Sequence, residues 1–195
     1  MNRTQVLSSL AALRQRGLIV APDRHGYFLV SLLDPVAAAP LRTLGRGAPA
    51  HLFVGRPADL AMVLPRPPTV RELAWLDIGW PGEAAWAAPL RSSAAACVAS
   101  SRPTWLRMSA SPALQELLHC LGAPLVGLPI LDEGGGATRS LAEAVDLVGV
   151  GATRAAIADP APTQAARTRL LTTRDGGWEA SEVDLLGRPW TDAPT

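Results

Sequence analysis

Residues 16–30, RGLIVAPDRHGYFLV, constrain the fold more than any other stretch of the chain. A short apolar run, Leu18, Ile19 and Val20, reaches Ala21-Pro22 and breaks there. A polar knot follows, Asp23-Arg24-His25-Gly26-Tyr27, before the chain turns apolar again at Phe28-Leu29-Val30. An apolar strand that ends in proline, polar groups and glycine is how an open α/β sheet presents a site at a strand end.

The elements around this stretch alternate. Thr4 can cap a first helix carrying Val6, Leu7, Leu10 and Leu13, with Gly17 as its stop. Residues 18–21 then read as a strand. Asp34-Pro35 is an N-cap and N1 pair for a helix over 36–44, where Pro40 either kinks the helix or delays its start. Residues 50–54 read as a strand, 57–64 as a short helix and 70–76 as another helix leading into Trp80-Pro81-Gly82, a turn with an aromatic anchor. Residues 84–90, 95–100 and 105–108 read as strands, although the alanine-rich ones are equally compatible with helix. Ser111-Pro112 opens a helix whose Leu114, Leu117, Leu118 and Leu121 share a face, and Gly122 ends it. A strand over 124–128 follows, then a flexible loop over 132–136. Ser140-Leu-Ala-Glu143 is a capping box for a helix over 141–147. Strands over 154–157, 169–172 and 178–183 close the chain, with Asp175-Gly176 as a hairpin turn. This alternation predicts an α/β domain, a mixed twisted sheet with covering helices, spanning 1–185 before a tail at 186–195.

Composition narrows the chemistry. At 195 residues, the chain can bury one sizeable core but not two, and 48% hydrophobic residues with mixed charge fit a globular domain. No apolar run approaches the ~20 residues needed to span a bilayer, and the N-terminus has no signal-peptide pattern, so the expected compartment is the cytoplasm and no membrane partner is expected. All 18 basic residues are arginine. A phosphate-loop or Schiff-base lysine is therefore excluded. The net charge of +1 does not announce nucleic-acid binding, although a local arginine stripe would suffice for it. Of the two cysteines, Cys97 and Cys120, the second is expected to be buried beside a surface His119. No metal site is expected there, because adjacent residues of a helix point to different faces.

Taken in order, these segments resemble the YrdC-like family, the L-threonylcarbamoyladenylate synthases, over residues 5–185. Pro22, Tyr27 and Leu29 match the family's Pro-Thr-(Asp/Glu)-Thr-x-Tyr-Gly-Leu motif. Leu44-Gly45-Arg46 stands at its Lys-x-Arg, Trp80-Pro81-Gly82 at its Trp-Pro-Gly, and Arg107-Met108-Ser109 at its Arg-Val-Pro. Residues 124–131 stand at its Pro-Leu-x-x-x-Ser-x-Asn, and Thr168 lies near its late Ser-Thr-Val element. The resemblance implies a single YrdC-like domain joining threonine, bicarbonate and ATP into threonylcarbamoyl-AMP for tRNA modification. It assigns Arg46 and Arg107 to nucleotide binding, and Asp23, Arg24, His25, Tyr27 and Thr168 to the cleft.

The departures set the functional expectation. The family's lysine is Leu44, its serine Pro129 and its asparagine Leu131, while Asp23 and His25 replace two threonines. A triphosphate carries about four negative charges, and stabilising it needs cations and donors aimed at its oxygens. Three readings follow: a divergent domain that binds a nucleotide or structured RNA with impaired synthesis; an atypical synthase using ATP, with Arg24, Arg46 and Arg107 in place of the lysine; or a non-catalytic interaction protein. Taken alone, His25 reads as an exposed loop residue and Tyr27 as a half-buried one with a wet hydroxyl. Neither the catalytic residues nor the oligomeric state can be read from this sequence.

Overall fold

The computed structural model describes residues 3–44, 48–98, 104–149, 153–157, 168–174 and 177–189. They form one nine-stranded mixed sheet.

Its first two strands, β1 (Ile19–Asp23) and β2 (Gly26–Leu32), make an antiparallel hairpin in which Asp23 pairs with Gly26. The polar knot is therefore a hairpin tip, with Arg24 and His25 at the turn. The strand does not break at Pro22 but runs through it. Gly26 has φ 148°, and a Cβ there would lie 2.9 Å from the Cβ of Ala137, so the loop after β6 (Leu125–Pro129) packs directly on the tip. Antiparallel pairing of β6 with both β2 and β3 (His51–Phe53) builds the centre of the sheet. Beyond it, β3 runs parallel to β5 (Trp105–Arg107), which pairs antiparallel with β4 (Ala84–Ala87). The outer strands are β7 (Ala155–Ala156) on β1, β8 (Thr168–Arg174) on β4 and β9 (Gly177–Val183) on β8.

Both faces of the central strands are buried, which is why residues 18–21 are continuously apolar instead of alternating. Val20, Leu29, Leu52 and Leu128 belong to one core, and Ile19, Ala21, Phe28, Val30 and Phe53 to the other. The second core is closed by α1 (Arg3–Arg14), through Val6, Leu10 and Leu13, and by α5 (Pro112–Leu121), through Leu114, Leu117 and Leu118. Onto the first pack α2 (Ala39–Leu44), the 3₁₀ turn Pro57–Met62, α3 (Val70–Gly79) and α6 (Leu141–Val148), through Leu41, Leu60, Leu76 and Ala144. Each fully buried leucine contributes about 1.5–3 kcal/mol.

Several local expectations are corrected. Thr4 lies inside the first turn of α1, and the left-handed residue ending that helix is Arg16 (φ 61°), not Gly17. The side chain of Asp34 does accept hydrogen bonds from the Val36 and Ala37 amides, but α2 begins only at Ala39, so Pro40 falls in the first turn, where its missing N–H costs nothing. Over 95–98, the described part of 95–100, the chain is not a strand: α4 (Ser92–Ala95) ends there and a turn follows. Cys120 is exposed and Cys97 is the buried thiol. The Asp175-Gly176 turn lies outside the described residues. After β9 the chain continues as a turn, in which Asp184 accepts the amides of Leu186 and Arg188 and Val183 bridges to Pro189. Among the described residues, no helix is long and apolar enough to cross a membrane.

Candidate functional site

The hairpin tip brings together residues that are far apart in the chain. Register places Arg107 opposite Phe53 and Ala85, on the face that also carries Asp23 of β1. Its guanidinium is fully buried. Nη2 lies 2.6 Å from Nδ1 of His25, 3.3 Å from the carbonyl of Gly82 and 3.7 Å from Oδ2 of Asp23. An arginine can only donate, so Nδ1 of His25 accepts in this contact, and the same nitrogen lies 3.4 Å from Oδ2 of Asp23. The hydroxyl of Ser109 donates to Oδ1 of Asp23 at 2.5 Å and accepts the Ser111 amide at 3.1 Å. Beside the cluster, Gly82 donates its amide to the carbonyl of Met108, and Arg24 pairs with Glu83 at 3.0 Å, which ties the Trp80-Pro81-Gly82 turn to the tip.

The electrostatics follow from the packing. Burial pushes the Asp23 carboxyl up, but the Arg107 charge and the bonds from its neighbours outweigh it and hold the group well below the usual carboxylate range. Burial also draws Arg107 down, against the pull of Asp23. His51, on the neighbouring strand β3, is packed between Phe28 and Trp105 with ring centroids 5.0 Å from each. Burial first, then the Arg107 charge, pushes its imidazole well below the normal value, so it is neutral.

Asp23, His25 and Arg107 therefore meet, with Ser109 as a fourth member that the sequence reading did not single out. Ser109 lies two residues beyond the end of β5, and no sequence signal marked it. His25 is not exposed and Tyr27 is not half-buried: each is almost fully enclosed. The tip folds back under the Trp80-Pro81-Gly82 turn, and Tyr27 joins the first core. Thr168 is buried at the start of β8, on the sheet face that carries Arg107, and the amide of the next residue, Arg169, donates to the Glu83 carbonyl. Arg46 lies outside the described residues. Arg107 faces inward onto protein groups and presents no guanidinium to solvent.

A second feature lies at the end of β6. A pocket of about 520 Å³ is lined by Leu29, Leu128, Pro129, Ile130 and Leu131 of the sheet and its exit, with Leu147 and Val148 of α6, Leu44 and Ala48 beyond α2, and Leu186. Leu44, Pro129 and Leu131, which stand where the resemblance expects lysine, serine and asparagine, thus share one wall. Among the described residues, no charged or hydrogen-bonding side chain lines it. Among the described residues, no group of three or more His, Cys, Asp or Glu could hold a metal ion.

No family model and no curated protein matches the sequence. Solved structures do match the fold. The crystal structure of P. abyssi Sua5 complexed with L-threonine aligns with a TM-score of 0.76 at 13% identity, over 92% of this chain and 54% of that one. E. coli YciO aligns at 0.71 and 17% identity, over 92% and 88%. Full-length HypF in its phosphate- and nucleotide-bound form aligns at 0.68 and 12%, over 91% and 28%. The chain spans about half the length of the Sua5 structures it matches.

Proposed function

We propose that this chain, which has a YrdC-like fold, is a binding domain that has left threonylcarbamoyl-AMP synthesis. The observation carrying this reading is the shared wall of Leu44, Pro129 and Leu131. Three positions that would supply a cation and two polar groups supply only carbon, and Pro129 also lacks a backbone N–H. The buried network adds to it. Asp23 sets an internal carboxylate beside Arg107, where an incoming anion would otherwise find its counter-charge. A transferring phosphoryl group depends on donors aimed at its oxygens, and the described wall of the pocket provides none.

Nucleotide or structured-RNA binding, which the resemblance also implies, then has to use surface outside this pocket. The reading is tested by calorimetric titration with magnesium-ATP, with and without threonine. The expected result is no saturable heat at concentrations that saturate a synthase of the family. Tight, threonine-dependent ATP binding overturns it.

A further inference from the structure

Helix α3 rides on the outside of the molecule: along it only Glu72 and Leu76 are buried. Its first turn is held firmly, because Glu72 accepts the Thr69 amide and pairs with Arg66 at 2.7 Å, while Thr69 accepts the Glu72 amide. The two buried residues fix the orientation of the whole helix. At about 100° per residue, the side opposite them belongs to Val70, Ala74 and Ile78. That outermost row is apolar from end to end: Val70 is 85% exposed and Ile78 70%, with Ala74 exposed between them. Helix propensity does not explain the choice, since valine and isoleucine are poorer helix formers than arginine, glutamine or glutamate.

The charges beside the row single out what covers it. Arg71 and Asp77 stand three residues before and after Ala74, one on each flank, and both are exposed. They lie about 9 Å apart along the helix axis and on different sides of it, so they do not reach each other. Among the described residues, neither has an ion-pair partner. A second copy of the chain supplies both partners. Rows of i, i+4 spacing incline by about 26° to the helix axis, so two of them laid along one another cross the helices at about 50°, the commonest packing class. The twofold axis then runs along the row, each Arg71 faces Asp77 of the other copy, and Ala74 at the crossing lets the helices approach closely. With one row reversed, Arg71 would meet Arg71 and Asp77 would meet Asp77. The charges therefore select one direction as well as one partner.

We infer that α3 is the contact of a symmetric homodimer, with the row Val70, Ala74 and Ile78 at its centre and two Arg71–Asp77 pairs on its flanks. A single helix pair falls short of the roughly 1,200 Å² of a stable interface, so the dimer is weak and concentration-dependent. The inference stands apart from the reading of the pocket at the end of β6.

Sedimentation equilibrium of the full chain, from about 10 μM to 1 mM, tests it. The mass should climb from that of the monomer towards twice that value. Val70→Ser combined with Ile78→Ser should weaken association about tenfold, as should Arg71→Asp alone or Asp77→Arg alone. These side chains are exposed, so every variant should melt close to the parent. Joining Arg71→Asp to Asp77→Arg rebuilds both pairs with their signs exchanged, and should return association to within about twofold of the parent. General stickiness of an apolar helix would not respond in that way. A monomer throughout the range overturns the assignment. So does association that survives the serine variant, or that the double charge reversal fails to restore.

Discussion

Arg107 and His25, 82 residues apart in sequence, meet at 2.6 Å between Nη2 and Nδ1 inside the sheet, with the Asp23 carboxylate 3.7 Å from the same nitrogen. One strand in the middle of the sheet is thereby latched to the tip of the first hairpin. The latch is assembled from residues that the resemblance places in a ligand cleft. Here they serve one another.

Removing the carboxylate leaves the guanidinium buried without its counter-charge. Asp23→Ala should therefore destabilise the fold by about 3–5 kcal/mol, measured by urea unfolding at neutral pH. Pairing it with Arg107→Met should recover a substantial part of that loss, since an apolar side chain of similar length needs no partner. A double variant no more stable than Asp23→Ala would mean that the two groups are not coupled.

Acid should weaken the protein in two stages. His51 is held neutral when folded, so unfolding frees it to take up a proton, and the stability it contributes is complete above about pH 6.5 and lost as pH falls below that. The slope is at most about 1.4 kcal/mol per pH unit for one group. Asp23 acts lower: its depressed value contributes stability above about pH 4 that disappears on further acidification. His51→Phe, which keeps a ring between Phe28 and Trp105, should flatten urea midpoints between pH 7.5 and 5.5 while leaving the loss below pH 4. An unchanged slope above pH 5 would assign the first stage to another group.

The centre of the sheet is intolerant of a single methyl group. A Cβ on Gly127 would lie 2.9 Å from the Phe53 ring and 3.3 Å from a methyl of Val30, both fully buried. Gly127→Ala should cost about 1–3 kcal/mol in the same unfolding experiment. Gly122→Ala makes a useful contrast: its Cβ would meet nothing, so only its left-handed φ of 62° is strained.

Elements with a strong local signal were legible in the sequence. The leucines of α5 between Ser111 and Gly122 announced a helix and its buried face, and the apolar run over 18–21 announced a strand covered on both sides. The order of motifs announced the fold. Contacts made across the sheet were not legible. The burial of His25 depends on Arg107, and that of Asp23 on Ser109, 86 residues away, so neither could be deduced from its neighbours. Residues 95–98 were ambiguous because alanine-rich sequence suits helix as well as strand; α4 ends at Ala95 and a turn follows. The replaced signature positions were visible one by one. That Leu44, Pro129 and Leu131 line one pocket required the fold.

Pyrophosphate release from ATP in the presence of threonine and bicarbonate, run beside a synthase with the Lys-x-Arg and Ser-x-Asn motifs intact, tests the loss of synthesis most directly. A single missing donor at developing phosphate charge costs about 2.7–4 kcal/mol, a hundredfold or more in rate, and three are absent here. The expected result is threonine-dependent release at least a hundredfold below the control. Release at a rate comparable with the control would contradict it, and would make this chain a synthase whose arginines do the work of the missing lysine.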